Sequence, residues 1–309
     1  MLVILQLMDT LSSAFQDYIK QVMLLSKSPA FVTSENVYQE GDNNILPYLD
    51  KMVERLVLPG SGLDGLENME ELFARARSGE SCLILPEHYS NLDLSLFSYL
   101  LRKAGGSGED IARSVIAIAG MKLNEDNPII SAFASAYTRI VIYPSRSIQG
   151  LDSKKNRAEI IRSNEINRAA MKALTTLKSQ GRIILIFPSG TRYRPWDPSS
   201  KQGVREIDSY VKTFDNMCFV SLNGEVLHVR HKDMLEDTVS KDIVRIGVGP
   251  VVSCLEFRDR VRAEAGIEES RKGEEADYKQ FVADAIMAEL EKMHIKGEKN
   301  REKISAQPE

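Results

Sequence analysis

Residues 82–101 read CLILPEHYSNLDLSLFSYLL, in which a short apolar run, a polar loop and an apolar pattern with helical spacing follow one another. The same alternation continues along the chain after residue 64. Further β-rich runs lie at 115–119, 140–143, 183–187, 218–220 and 244–248. Strands that alternate with helices imply parallel pairing through right-handed crossovers. The sequence therefore predicts an α/β fold with a mainly parallel, mixed sheet flanked by helices.

The N-terminal part of the chain has a different pattern. Residues 2–25 carry apolar residues at spacings of three and four, a second helix is predicted at about 45–57, and Pro59 to Gly62 ends the pattern. We predict a small all-helical domain over residues 1–62. The apolar stripe over residues 2–25 is expected to pack against protein. Contact with a membrane surface is the alternative, which the few basic residues on its polar face disfavour.

The predicted α/β domain covers the rest of the chain up to a short tail. It spans residues 63–294 and ends in an amphipathic helix from Tyr278 to Met293. Residues 295–309 are predicted to form a charged, flexible tail.

Charge is distributed unevenly along the chain. The 40 Lys and Arg and the 44 Asp and Glu give a net charge of −4. Residues 139–205 alone hold 14 Lys and Arg against four acids. A basic segment in an acidic protein indicates an anionic ligand or partner and argues against general nucleic-acid affinity.

Several classes of protein are disfavoured by what the sequence lacks. No apolar run approaches the roughly 20 residues of a transmembrane helix, and no basic segment and cleavage site mark a signal peptide. We expect a cytoplasmic protein, soluble or peripheral at a membrane. Cys82, Cys218 and Cys254 are expected to be reduced packing residues. No metal site is expected, because His228 and His231 have no further ligand at matching spacing.

The loop after the first β-rich run offers a catalytic pair. His88 lies on this loop, and Asp93 is expected in the first turn of the following helix, within reach of the imidazole. A carboxylate on one ring nitrogen leaves the other nitrogen as a base for a hydroxyl proton. The alternative is a loop histidine beside an acid that favours the helix dipole.

The loop after residues 183–187 offers an anion site. Gly190 permits a tight turn, and Arg192 and Arg194 would point the same way from an extended segment. Two converging guanidinium groups suit a phosphate, for which each charge-assisted bond contributes about 1.5 to 3 kcal/mol.

The two loops together resemble a known pair of motifs. His88 to Asp93, followed by the sequence FPSGTR at 187–192, is similar to the HxxxxD and FPEGTR-like motifs of the glycerophospholipid acyltransferase superfamily. Ser189 replaces the usual Glu of that motif. The PSG form with alternating arginines resembles the soluble, plastid-type glycerol-3-phosphate 1-O-acyltransferases, which also have an N-terminal helical domain. The resemblance spans roughly residues 81 to 250.

The chain also departs from that subfamily. Glu87 and Leu94 stand where the subfamily has Asn before the histidine and Pro after the aspartate. Ser145 and Arg146 replace a Lys-His pair after the middle strand. The phosphate site is therefore expected to be rebuilt around Arg146.

The resemblance implies transfer of a fatty acyl group from acyl-ACP or acyl-CoA to the sn-1 hydroxyl of glycerol 3-phosphate, forming lysophosphatidic acid in phospholipid biosynthesis. A thioester is already activated, so direct attack by the hydroxyl needs neither metal nor cofactor. The implied catalytic residues are His88 as general base and Asp93 as its orienting partner, and the implied phosphate site consists of Arg146, Arg192 and Arg194 with the backbone around Ser189 and Gly190.

Two alternatives remain open from the residues alone. The acceptor could be 1-acylglycerol 3-phosphate, because the same base and phosphate site would serve it. A noncatalytic phosphate- or phospholipid-binding module would instead use His88 and Asp93 structurally. A serine hydrolase is disfavoured, because no GxSxG elbow precedes a helix.

Overall fold

The computed structural model describes residues 9–125, 127–148, 152, 155–231, 234–266 and 274–306. Within these residues the strands are β1 (Tyr38–Gln39), β2 (Gly62–Asp64), β3 (Cys82–Pro86), β4 (Val115–Gly120), β5 (Arg139–Ile142), β6 (Ile183–Leu185), β7 (Asn216–Asn223), β8 (Leu227–His228), β9 (Thr238–Val239), β10 (Arg245–Val248) and β11 (Val252–Ser253).

The helices within the same residues are α1 (Leu11–Ala14), α2 (Gln16–Leu25), α3 (Leu46–Leu56), α4 (Leu66–Arg77), α5 (Asp93–Lys103), α6 (Gly108–Ser114), α7 (Lys122–Glu125), α8 (Pro128–Ala134), α9 (Arg157–Leu177), α10 (Ile207–Val211), α11 (Cys254–Ala265) and α12 (Glu274–Ser305).

One large sheet organises the molecule, and its order is β1-β5-β4-β6-β3-β7-β10-β2, with β11 paired to β7. The five central strands from β5 to β7 pair in parallel, whereas β1, β10 and β11 pair antiparallel to their neighbours β5 and β7. Each of the six predicted β-rich runs overlaps one of these strands. The predicted α/β fold with a mainly parallel, mixed sheet flanked by helices is therefore confirmed.

Both faces of the sheet are covered. Along β3, Cys82 and Ile84 belong to the hydrophobic core on one face, and Leu83 and Leu85 belong to the core on the other. Successive residues of a strand point to opposite faces, so a central strand with helices on both sides is apolar throughout. The continuous apolar run in the sequence reflects this double burial.

The N-terminal residues share one of these cores. Leu11, Phe15 and Leu49 pack in the same cluster as Ile84 of β3. β1 pairs with β5, and β2 pairs with β10 at the opposite end of the sheet. The prediction of a separate all-helical domain over residues 1–62 was wrong for the described residues from Asp9 onward, because their apolar stripes cover the sheet. Residues 1–8 lie outside the described ranges.

The C-terminal tail prediction also needs correction. α12 continues to Ser305, so the described part of 295–309 is helical; residues 307–309 lie outside the described ranges. Gly297 brings the helix so close to β7 that a Cβ there would collide with the Asn223 side chain. Arg301 Nη1 contacts Asp242 Oδ1 at 2.9 Å. Arg301 of this segment therefore contacts the rest of the protein, which the sequence pattern could not indicate.

Two further properties bear on function. None of the described helices is long and apolar enough to cross a bilayer. Cys82, Cys218 and Cys254 are free and buried, as packing residues are. Burial raises the pKa of each of these three thiols to about 12.

Candidate active site

Two loops leave the same edge of the sheet. β3 and β6 are neighbouring parallel strands, so the histidine loop (residues 87–92) and the arginine loop (residues 186–206) both follow carboxyl ends at that edge. The Tyr193 N–H donates to the His88 carbonyl oxygen at 2.8 Å and ties the loops together. Ligands of open α/β sheets bind outside this edge, as the sequence argument assumed.

His88 and Asp93 form the expected pair. His88 Nδ1 lies 2.9 Å from Asp93 Oδ2, and the carboxylate is almost fully buried, with 3% of its side chain exposed. A carboxylate accepts, so Nδ1 carries the donated hydrogen and Nε2 carries the lone pair. The His88 side chain is 17% exposed. Within the described ranges no hydrogen bond occupies Nε2, which leaves this nitrogen for an incoming hydroxyl.

The backbone of the histidine loop holds Asp93. Its Oδ2 accepts from the Tyr89 N–H at 2.6 Å, and both carboxylate oxygens accept from the Ser90 N–H. The Ser90 hydroxyl donates to Asp93 Oδ1 at 2.7 Å. Asp93 is also the first residue of α5, where the helix dipole favours a negative charge. The loop therefore folds around the carboxylate and fixes its position below the imidazole.

One face of the His88 imidazole packs against an aromatic ring. The His88 ring stacks on Phe187 of the arginine loop with a centroid separation of 4.0 Å and an interplanar angle of 21°. Phe187 precedes the PSGTR residues directly, so the second loop also determines the orientation of the base.

A tight turn begins the arginine loop. Gly190 has a φ of +64°, and its N–H donates to the Phe187 carbonyl oxygen at 2.9 Å. This left-handed conformation favours glycine, as the sequence argument predicted. The buried Ser189 hydroxyl donates to the Thr191 carbonyl oxygen at 2.7 Å. Ser189 thus stabilises the turn through an internal bond.

The two arginines of this loop have different partners. Arg192 Nη1 contacts Asp237 Oδ2 at 2.8 Å, and Asp237 is fully buried. Arg194 lies 4.0 Å from Asp197 Oδ2, and both side chains are 41% exposed. Each guanidinium is therefore beside a carboxylate of the protein itself, and Arg192 is much more strongly fixed than Arg194.

Arg146 lies on a neighbouring segment. It occupies a short 3-10 turn over Ser145–Ser147 after β5, and its side chain is exposed. The Ser145 hydroxyl donates to Glu206 Oε1 at 2.5 Å, which places this turn beside the end of the arginine loop. The Arg146 guanidinium makes no ion pair with the residues that the structure describes.

No metal-binding cluster marks this edge in the described part of the chain. A search for three or more His, Cys, Asp or Glu side chains in metal-binding arrangement finds none there. A cavity of about 230 Å³ lies against α5 and α6, and its lining includes Leu94, which follows Asp93. That lining contains neither His88 nor a residue of the arginine loop, so we assign it no part in the chemistry.

Comparison with known proteins identifies the family. A family model described as Acyltransferase matches residues 63–237, more than half of the chain and both loops. The chain belongs to the acyltransferase family. Among solved structures, the 1-acyl-sn-glycerophosphate (LPA) acyltransferase PlsC from Thermotoga maritima is similar at 14% identity, with a TM-score of 0.41 and coverage of 96% of this chain and 90% of that one. A search of curated proteins found no match.

The structure of this acyltransferase adds residues that sequence reasoning did not assign. Glu87 is buried, and its carboxylate accepts from the Tyr89 hydroxyl at 2.7 Å and from His294 Nδ1 at 2.9 Å. His294 lies on α12, one residue beyond the predicted end of the last helix. Asp237, the partner of Arg192, was likewise missed. No local pattern marks either His294 or Asp237, because their partners lie far away in sequence.

Two pKa shifts follow from these contacts. Burial, with the neighbouring Glu87 carboxylate second, raises the pKa of the Tyr89 hydroxyl, so this group remains a neutral donor. The hydrogen bond with Glu87 raises the pKa of His294, and burial opposes that effect. In this acyltransferase the Glu87 carboxylate therefore favours the charged form of His294, and Glu87 is the residue before His88.

Proposed function

We propose that the enzyme transfers a fatty acyl group from a thioester, acyl-ACP or acyl-CoA, to the sn-1 hydroxyl of glycerol 3-phosphate. The product is 1-acylglycerol 3-phosphate, also called lysophosphatidic acid. The observation that carries this proposal is the His88–Asp93 pair, whose Nε2 has no hydrogen bond with the described residues and whose loop lies within the range that matches the acyltransferase family.

The chemistry needs only one proton carrier. His88 Nε2 takes the hydroxyl proton while the oxygen attacks the thioester carbonyl, and Asp93 stabilises the imidazolium that forms. The tetrahedral intermediate collapses with cleavage of the C–S bond. The thiolate leaves and takes the proton from His88, which restores the neutral base. Atoms and charge balance without a cofactor or a covalent enzyme intermediate.

The acceptor phosphate is assigned to the arginine loop. An arginine has five N–H donors, so Arg192 keeps donors for phosphate while one nitrogen bonds Asp237. That ion pair fixes its guanidinium before substrate arrives. Arg146 is exposed and the Arg194 side chain is 41% exposed, and both add positive charge beside this turn. Ser189 and Gly190 shape the turn.

The choice of glycerol 3-phosphate over 1-acylglycerol 3-phosphate rests on the PSG form of the second motif with its alternating arginines. Both acceptors carry the same phosphate, so the same residues would hold either one. Labelled glycerol 3-phosphate and labelled 1-acylglycerol 3-phosphate should be offered together to the purified protein, with acyl-ACP and with acyl-CoA.

We expect glycerol 3-phosphate to be acylated by wild type and by the control His228→Ala, and hardly at all by His88→Ala. Preferential consumption of 1-acylglycerol 3-phosphate would reassign the acceptor. Binding of either phosphate with no transfer from any donor would favour the noncatalytic module.

A further inference from the structure

A second histidine–carboxylate pair includes the residue that directly precedes His88 in the chain. Glu87 precedes His88, and only 4% of its side chain is exposed. Its Oε2 contacts His294 Nδ1 at 2.9 Å, and its Oε1 accepts from the Tyr89 hydroxyl. Glu87 stands where the related subfamily has Asn, so this pair is a departure from that pattern.

Glu87 also determines how the end of β3 lies on β7. The strand pairing ends at Pro86 and Val220, and the Glu87 N–H then donates to the Val220 carbonyl oxygen at 3.0 Å. The Glu87 carboxylate accepts from the Leu222 N–H at 2.9 Å. The Glu87 side chain thus adds a hydrogen bond to β7 beyond the point where the backbone pairing of β3 with β7 ends. Because His88 is the next residue, this attachment fixes where its backbone begins.

His294 is held independently of Glu87. The Asn223 side chain donates to the His294 carbonyl oxygen at 2.9 Å, and the close approach at Gly297 keeps α12 against β7. The titratable and charged groups that face the imidazole are Glu87 and Tyr89 of the histidine loop, Glu291 and Glu298 of α12, and Lys201 of the arginine loop.

The Glu87 carboxylate depends on this partner. Besides His294 it has a hydroxyl donor and one backbone donor, and it lies out of water. A buried carboxylate that loses its facing positive charge is costly, so loss of the imidazolium charge would favour movement of Glu87 toward solvent. Such a movement would release the Leu222 N–H and shift the backbone that carries His88.

We propose that protonated His294 is a positioning residue for the general base, acting through Glu87 on the backbone of His88. The proposal rests on the proposed function for its kinetic consequence. His294 does not contact the reacting atoms; it holds the histidine loop in the position where Nε2 meets the acceptor hydroxyl.

The kinetic test compares wild type with His294→Ala, His294→Asn and a matched control. His228→Asn is that control, because His228 Nδ1 also lies beside a carboxylate, at 3.2 Å from Glu225, whose side chain is 58% exposed. We expect His294→Ala to lower kcat by about 10-fold to 100-fold with little change in either KM, as a small displacement of a catalytic group does. His294→Asn keeps a donor without a charge and should recover part of the loss.

The pH profile separates positioning from a merely structural role. Wild-type kcat should fall on the alkaline side as His294 loses its proton, and that fall should be absent in His294→Asn and present in His228→Asn. A His294→Asn variant with wild-type kcat and an unchanged alkaline fall would overturn the proposal.

A spectroscopic test does not depend on acyl transfer. In ¹H–¹⁵N spectra of the four histidine side chains, the His88 resonances should show a second inflection at the pH where His294 titrates. This inflection should disappear in His294→Asn. His88 resonances that show no inflection at the pH where His294 titrates would refute the positioning role. Absence of acyl transfer by the wild-type protein would refute only the proposed function.

Discussion

Two histidine–carboxylate pairs flank the carboxyl end of β3, and their carboxylates are satisfied in different ways. Asp93 accepts from the backbone of Tyr89 and Ser90 and from the Ser90 hydroxyl, all within four residues of itself. Glu87 accepts from one backbone N–H, that of Leu222, and from Tyr89 and His294. The first pair is built from a short continuous segment, the histidine loop and the first residue of α5, whereas the second joins the histidine loop, β7 and α12.

The difference indicates a division of labour. The charge on Asp93 is stabilised by local donors, which suits the orienting role that the proposed function gives it beside a base that gains and loses a proton. The charge on Glu87 depends more on its histidine partner, which suits the positioning role proposed for His294. The His88 ring of the first pair stacks on Phe187 of the arginine loop.

The largest effect is expected from removing the first pair's base. His88→Ala should lower kcat by about 100-fold to 10,000-fold, the usual contribution of a general base, with the fold retained. If His294 acts only through His88, adding His294→Ala to this variant should cost almost nothing more, since the two effects would not be additive. A double mutant that loses the full sum of both effects would show that the pairs work separately.

A smaller loss is expected when Asp93 is changed to Asn. The base remains, but an amide has one acceptor oxygen for the several donors that meet the carboxylate, so the imidazole orientation is no longer fixed. Both kcat and the free energy of unfolding should fall, the latter by about 1 to 3 kcal/mol for a donor left unsatisfied. Steady-state kinetics and urea titration measure the two. Wild-type turnover in Asp93→Asn would argue against its orienting role.

A third carboxylate, Asp237, extends the comparison to stability. It is fully buried, where it bonds Arg192 and also accepts from the Arg230 N–H at 2.7 Å. Loss of its positively charged partner in Arg192→Ala should lower the free energy of unfolding by about 3 kcal/mol, whereas Arg194→Ala should cost less than about 1 kcal/mol because its pair is exposed. Adding Asp237→Asn to Arg192→Ala should restore much of the stability. Under the proposed function both arginine variants raise KM for glycerol 3-phosphate by about 10-fold. Equal unfolding midpoints for the two variants would contradict this ranking.

The smallest effect concerns pH and the second pair. The pKa of His294 is raised above its ordinary value of 6.5, chiefly by the Glu87 hydrogen bond. Its contribution is therefore fully present below about pH 6.5 and is lost as pH rises through the folded-state pKa. The difference in free energy of unfolding between wild type and His294→Asn should be constant in acid and shrink in alkali. A difference in free energy of unfolding that grows with pH would contradict a stabilising positive charge on His294.

The sequence predicts the first pair and not the second for a physical reason. His88, Ser90 and Asp93 lie within six consecutive residues, so the spacing of residue types almost determines their contacts. The turn at Gly190 is local in the same sense, because a positive φ at a loop glycine needs no distant partner. The strands were predictable because β3 to β7 are buried on both faces and read as apolar runs.

Contacts between distant segments were not predictable from residue patterns. The N-terminal stripe indicates a helix that needs an apolar partner, but not that the partner is the sheet face near Ile84. The charges of 295–305 are typical of a solvated tail, and only the approach of Gly297 to β7 makes them part of the packed structure. Asp237 and His294 likewise meet their partners, Arg192 and Glu87, only when distant segments pack together.

The span of the Glu87–His294 bond has a consequence for synthesis. The two residues are 207 positions apart. At about 5 to 20 residues per second, a ribosome makes His294 roughly 10 to 40 s after Glu87. A nascent chain therefore displays both motif loops well before α12 exists to hold Glu87 in place. The order of translation alone delays completion of this edge of the sheet until the helix has been made.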